Sequence, residues 1–200
     1  MSRYDTVDDP LCHPGTTVLR NKAGLTDQDE LDQFEQLMFL SRAEEPLPEG
    51  ALDYAHYRAI HHHFFQDVYG WAGEPRRIRT AKGGNWFCYP DHIDREMDKL
   101  FAALAAENFL MDADNPATFA SRAAHYIAEL NAIHPFREGN GRCQLTLLSI
   151  LMDLAGFPMD EDRIDPDGFL RAMVASFDGE LGALTQAIER MAQTIKAVNE

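Results

Sequence analysis

A chain of 200 residues, 45% of them apolar, suffices for one domain with a full-sized core. Eighteen Lys and Arg against 33 Asp and Glu give a formal net charge of −15, which excludes a general nucleic-acid binder, since phosphate contacts need a basic face. Cys12, Cys88 and Cys143 lie far apart without metal-ligand spacing and read as reduced thiols of a cytoplasmic protein.

The acidic segment 1–10 does not read as a signal peptide. The apolar run 145–154 is broken by Thr146, Ser149 and Asp153 and is too short to span a membrane. One domain over 1–200 is expected, beginning with an irregular arm over 1–24 that contains Pro10, Pro14 and Gly15. Thr26 reads as the N-cap of a first helix to about Arg42, with Leu31, Phe34, Leu37 and Met38 at helical spacing. Asp53 caps a second helix, with Tyr57, Ile60, Phe64 and Val68 on one face, stopped by 70–73. The segment 76–89 reads as a hairpin, two β-like runs around Lys82-Gly83-Gly84-Asn85. Asp91 caps a third helix carrying Ile93, Met97, Leu100 and Leu104. Asn115-Pro116 starts a fourth, with Phe119, Tyr126, Ile127 and Leu130 buried. A fifth begins near Arg142 and stops near Gly156, a sixth begins at Asp165-Pro166, and a seventh covers about 179–198. The sum is an all-α bundle decorated by one hairpin.

The nine residues 134–142 hold the chemistry. His134 suits proton transfer near neutral pH, and Pro135 is expected to force an extended backbone at it. Glu138, on a glycine loop with no nearby lysine, suits a phosphate-bound divalent cation. Gly139 and Gly141 flank Asn140, which suggests a backbone nest closely approached by an anion at a helix N-terminus. Arg142 sits at the positive end of a helix dipole, so something negative should compensate it, and a bound phosphate would do so. Phe136 reads as an inward anchor. Arg76, Arg77, Arg79, Lys82 and Arg142 are candidates for a local basic pocket in the acidic chain.

This run resembles the signature of the Fic (filamentation induced by cAMP) family, His-Pro-Phe-x-Asp/Glu-Gly-Asn-Gly-Arg, with every specified position filled. Segments 9–21, 60–73, 83–88 and 126–133 also look like those of bacterial Fic toxins. The resemblance implies a Fic-type helical bundle with a short β-hairpin flap beside the active-site loop. It implies a protein adenylyltransferase that moves AMP from ATP to a Tyr, Thr or Ser hydroxyl of a target protein. His134 would be the general base and Glu138 would hold Mg²⁺. Arg137, Gly139, Asn140, Gly141 and Arg142 would bind the nucleotide's phosphates, with Arg142 neutralising the leaving pyrophosphate. The flap, through Lys82, Gly83, Gly84, Trp86 and Phe87, would dock a target segment by strand addition, with Trp86 and Phe87 as apolar clamps.

Two departures stand out. Many AMP-transferring relatives place a second arginine three residues after the first, where this chain has Leu145; another nucleotide or phosphate donor is the alternative this raises. A peptide-binding module with its chemistry lost is the non-enzyme alternative, against which intact His134, Glu138, Asn140 and Arg142 argue. The family's inhibitory pattern, Ser/Thr-x-x-x-Glu-Gly/Asn, is broken at each candidate: Leu31 follows Glu30, Pro46 follows Glu45, Leu181 follows Glu180 and Arg190 follows Glu189. The resemblance therefore implies a toxin whose inhibitory helix belongs to a separate small antitoxin. Type II topoisomerase subunits are among the targets of that class. No membrane or direct nucleic-acid partner is expected.

His61-His62-His63 is no metal site on this reading, because consecutive helical side chains diverge by about 100°. His56 and His125 read as helix-surface or core residues, and the acids Glu107, Asp112 and Asp114 as a solvated end. Residues 160–162 read as a connecting loop, and Cys143 has no base paired with it to make it a nucleophile.

Overall fold

A computed structural model describes residues 9–192. The described residues form two compact units: 9–95 together with 135–143, and 96–134 together with 144–192.

In the first unit the arm folds back on itself through a bridge between Cys12 and Leu19, with Val18 and Leu19 buried. Helix α1 covers Gln28–Ala43 and α2 covers Tyr54–Phe65. Asp27, one residue beyond the expected Thr26, caps α1 by accepting from the Asp29 and Glu30 N–H groups, while Asp53 caps α2 as expected. The α1 stripe departs from its sequence pattern. Leu31 and Glu35 are buried, whereas Leu37 is 61% exposed, so an acid occupies the place of an apolar residue. Tyr57, Ile60, Phe64, Phe65 and Phe136 form the apolar interior. The hairpin is shorter than expected, β1 at Ala81–Lys82 and β2 at Asn85–Trp86, antiparallel, with Ala81 opposite Trp86. Gly83 and Gly84 both take positive φ, +59° and +86°, as a tight two-residue hairpin turn needs.

The second unit is helical among the described residues. Most of α3 (Ile93–Ala106), α4 (Pro116–Ile133), the later turns of α5 (Asn140–Leu154), α6 (Pro166–Ala175) and α7 (Gly182–Met191) build it. Asn115 and Asp165 cap α4 and α6, each with proline at the first helical position. Helix α7 packs on α4 and α6. It begins later than expected, and the predicted residues 193–198 lie outside the described residues. No helix among the described residues is long and apolar enough to cross a membrane.

Between α3 and α4 the chain takes three successive left-handed residues, Asn108, Phe109 and Leu110, at φ 50°, 51° and 63°. Burial of Leu110 holds the turn from below. Glu107, just before it, accepts from Tyr126 Oη at 2.8 Å and from Arg122 at 3.0 Å. Glu107, Asp112 and Asp114 are exposed, as a solvated end should be, and Arg122 pairs with the first two. Asparagine tolerates this conformation and alanine does not, so Asn108→Ala should lower unfolding free energy by about 1 kcal/mol while Asn108→Gly stays near neutral. Equal losses for both variants in urea titrations would show that backbone strain is not the controlling factor.

Candidate active site

Helix α4 ends at His134, its C-cap, with φ 51° and ψ 64°, and the His134 N–H donates to the Leu130 carbonyl at 2.9 Å. The extended backbone expected before Pro135 is therefore replaced by a left-handed one. Both conformations avoid the right-handed region that proline forbids, and the left-handed one also closes the helix end. The imidazole is buried, and Nδ1 donates to the Asn131 carbonyl at 3.3 Å. A carbonyl can only accept, so the proton sits on Nδ1 and the basic lone pair is on Nε2. Asn131 is fixed in turn by its Nδ2 bond to the Met173 carbonyl at 3.0 Å.

The loop that follows is closed by Asn140. Its Oδ1 accepts from the Phe136 N–H at 2.9 Å and its Nδ2 donates to the Phe136 carbonyl at 2.8 Å. The Asn140 side chain thus closes the loop, and the Asn140 backbone N–H stands at the first turn of α5. Phe136, wholly buried, stacks on His61 at 3.8 Å and on Tyr57 at 5.6 Å. Gly139 is fixed twice over: its φ is +82°, and an added Cβ would fall 2.4 Å from the Phe65 ring. Gly141 differs, since its φ is not positive and an added Cβ there would meet open space. The nest of two special glycines therefore reduces to one, followed at once by α5. The first-turn N–H groups of Asn140 and Gly141 are those an α-helix cannot bond internally, the kind of donor a helix N-terminus offers an anion.

The three consecutive histidines go separate ways, and His61 turns out to support the loop. Its Nδ1 accepts from the Gly73 N–H at 2.8 Å, so Nε2 carries the proton and donates to the Glu138 carbonyl at 3.0 Å. Burial lowers its pKa to about 3, keeping the ring neutral. His63 bonds the Arg42 carbonyl and His62 is exposed. Arg76, a sequence candidate for a basic pocket, is instead buried. Its N–H donates to the Pro135 carbonyl at 2.8 Å, and its guanidinium donates to the carbonyls of Ile78 and Cys88 at 2.8 and 2.5 Å. It clips the two ends of the flap together and ties them to the loop.

The charged loop residues differ from one another. Arg137 is buried and pairs with Asp9 of the arm, Nε to Oδ2 at 2.6 Å. Glu138 turns Oε1 to the Gly139 N–H at 3.0 Å. Arg142 donates to Glu35 Oε1 at 2.5 Å and lies 3.9 Å from Glu138. Among the described residues no three His, Cys, Asp or Glu side chains come together as a metal cage. A Mg²⁺ carried by phosphates needs none, because one carboxylate suffices beside phosphate oxygens and water, and Glu138 supplies that donor type. Cys143 is fully buried, and burial raises its thiol pKa, so it stays a protonated thiol.

On the flap, Lys82, Gly83 and Gly84 are exposed and Trp86 is 49% exposed. Phe87 is 3% exposed, so it anchors the flap from beneath and cannot clamp a ligand. The clamp that the resemblance implied at Phe87 is not available, because adjacent residues of an extended chain point to opposite faces. Arg79 lies over the rings of Tyr89 and Trp86 at 3.9 and 4.6 Å.

The profile of the Fic/DOC family matches residues 51–152, from α2 through the loop to α5. A probable protein adenylyltransferase of Sinorhizobium fredii, y4lH, is 59% identical over 96% of this chain and 100% of that protein. The chain belongs to the Fic/DOC family. A probable protein adenylyltransferase of Escherichia coli, Fic, is 31% identical, with 92% of each chain covered. Among solved structures, the Bartonella tribocorum effector BepC with bound AMPPNP superposes with a TM-score of 0.82 at 26% identity, covering 93% of this chain and 97% of that one. The fold is thus the Fic helical bundle with its hairpin flap. Likeness to y4lH over nearly the whole of both proteins makes this Fic chain an enzyme of the protein adenylyltransferase class.

The supporting roles of four residues escaped the sequence reading: Glu35, His61, Arg76 and Asp9. Only Glu35 left a usable signal, an acid four residues after Leu31 on the apolar stripe of α1. His61 has a measurable signature. Unfolded, it takes a proton as pH falls through about 6.5; folded, it resists until about pH 3. Its contribution to stability is complete above pH 6.5 and is lost as pH falls toward 3, by up to about 1.4 kcal/mol per pH unit. Urea titrations of the wild type between pH 7.5 and 4.5 should show this slope, and His61→Gln should flatten it. Parallel slopes for both proteins would reject the assignment.

Proposed function

We propose that this Fic enzyme transfers AMP from ATP to a hydroxyl side chain of a target protein. The observation that supports this best is the orientation of His134: with Nδ1–H spent on the Asn131 carbonyl, Nε2 is the nitrogen able to take a proton. In the proposed reaction Nε2 accepts the proton of a Tyr, Thr or Ser hydroxyl as that oxygen forms a bond to the α-phosphorus. The bond from the α-phosphorus to the bridging oxygen breaks in line, and pyrophosphate leaves. The imidazolium then returns its proton to solvent. N–H groups at the first turn of α5 hold phosphate oxygens, and Arg142 offsets the charge growing on the leaving group. Glu138 would hold Mg²⁺, whose charge lowers the cost of the crowded phosphate oxygens.

The exposed edge of the flap would seat the target's backbone as an added strand beside Lys82, Gly83, Gly84 and Trp86. Such docking reads backbone more than sequence, so the flap names a geometry and no single target. We further read the chain as a cytoplasmic toxin. A small antitoxin would supply the inhibitory glutamate that no intact pattern in these 200 residues supplies. A type II topoisomerase subunit is the target first to be tried.

Leu145 supports a second reading. It sits one helical turn beyond Arg142, where a second arginine would hold the γ-phosphate, and a donor other than ATP fits a site lacking that contact. Intact-protein mass spectrometry after incubation with ATP, Mg²⁺ and bacterial lysate separates the two. An adduct of one AMP is expected with wild type and none with His134→Ala, which should still bind nucleotide within a few-fold of wild type. A different added mass would favour the altered donor, and wild-type transfer by His134→Ala would remove His134 as the base.

A further inference from the structure

The guanidinium of Arg142 is restrained from several sides. Nη2 donates to Glu35 Oε1 at 2.5 Å, and the guanidinium carbon lies 4.5 Å from the Phe65 ring centre and 5.1 Å from that of Phe39. Glu35 is itself fixed. Its side chain is buried on α1, and its second oxygen, Oε2, accepts from the hydroxyl of Tyr69. The Tyr69 ring stacks on Trp71 at 4.4 Å. Each oxygen of this carboxylate therefore has a defined donor.

Packing alone does not account for the arrangement. Burying a carboxylate is costly unless it is paired, and a buried ion pair is often no more stable than an apolar replacement. Here the partner is not a core residue. Arg142 is 29% exposed and stands in the first turn of α5, where the helix dipole disfavours a cation. A long side chain there would sample many rotamers, and fixing it costs entropy at the moment a ligand binds. Glu35 and the two rings restrict it beforehand. The chain also has Leu145 where a second arginine would share the work, so one guanidinium must serve in one orientation. Glu35 lies outside residues 51–152, the segment that carries the family pattern.

We propose that Glu35 is a positioning residue for phosphate chemistry: from α1, with Tyr69, Phe39 and Phe65, it holds the Arg142 guanidinium in a single orientation toward the anion bound at the first turn of α5. The proposal rests on the reading of Arg142 as the group that offsets the leaving phosphates. It differs from a brake, in which the carboxylate would merely neutralise Arg142, and from a purely structural pair.

Glu35→Gln separates the three, because glutamine keeps the shape and a hydrogen-bond acceptor for Arg142 while removing the charge. Three quantities are measured on the full chain: the arginine side-chain N–H spectrum, with Arg142→Lys to assign the signal; the affinity for AMPPNP with Mg²⁺ by calorimetry; and the rate of His134-dependent label transfer from α-labelled ATP into protein. Positioning predicts a slowly rotating Arg142 guanidinium signal in wild type that broadens in Glu35→Gln. It predicts AMPPNP affinity equal to or tighter than wild type, since a negative charge is gone, and transfer slower by roughly ten- to a hundredfold. Tyr69→Phe should give the same split, smaller. An equally ordered signal with unchanged transfer overturns the proposal. Faster transfer makes Glu35 a brake and overturns it too. Binding and transfer lost together, in step with the folded fraction, make it structural only and likewise overturn it. A wild type that neither binds AMPPNP nor transfers label defeats the adenylyltransferase reading, while the Arg142 spectra still decide whether Glu35 orders the guanidinium.

Discussion

Both hydrogen-bonding groups of the Asn140 side chain are spent on the backbone of Phe136, and the rest of the loop depends on that closure. A buried amide with either partner missing would cost about 1–3 kcal/mol, so the two bonds hold each other to account. Once closed, the loop has one place for each residue. Phe136 goes inward onto His61 and Tyr57, and the Glu138 carbonyl meets His61. Gly139 turns left-handed under Phe65, and α5 begins immediately afterward. The sequence order Gly-Asn-Gly-Arg therefore divides its labour: Asn140 builds the cradle, and backbone groups are left to line it.

The support comes from three directions in the chain. The arm reaches the loop through Asp9 and Arg137, α2 through His61, and the base of the flap through the Arg76 N–H on Pro135. Each is a polar contact made in a buried setting, where an unpaired partner is expensive and geometry is strict. Arg76 has the widest reach of the three. Its guanidinium joins the carbonyls of Ile78 and Cys88, so the residue that fixes the loop also closes the flap. A flap only two residues long on each strand has little rigidity of its own. Its precision has to come from this clip below and from Phe87 buried beneath it.

Helix starts were legible at Asp53, Asn115 and Asp165, which each cap where their sequence suggests, whereas Asp27 caps α1 in place of Thr26 and Asp91 lies inside a 3-10 turn ahead of α3. The loop was legible because its glycines, proline and histidine are individually unusual. Contacts that join residues far apart in sequence were not legible. Arg137 to Asp9 closes across 128 residues and Arg142 to Glu35 across 107, and no local pattern announces either. Faces were read less well than elements. Leu37 was placed on the α1 stripe and is exposed, while Glu35 was ignored and is buried, because periodicity weighs apolarity and cannot see a distant arginine. Phe87 differs: the resemblance implied a surface clamp, and only the hairpin register decides which of Trp86 and Phe87 turns outward.

Charge gives the arrangement its logic. The chain carries −15, and two carboxylates flank Arg142, Glu35 at 2.5 Å and Glu138 at 3.9 Å. One guanidinium between two carboxylates leaves a local sum of −1, a poor field for phosphate if charge alone decided binding. On the proposed reading the two acids do different things to that sum. Glu138 is the one whose charge a divalent cation would reverse. Glu35, deep on α1 and already bonded by Tyr69, spends its charge on orientation. A site built this way does not attract nucleotide by excess positive charge, as a two-arginine site could. It holds one cation in place and lets geometry, with the helix N-terminus, do what a second arginine at residue 145 would otherwise share.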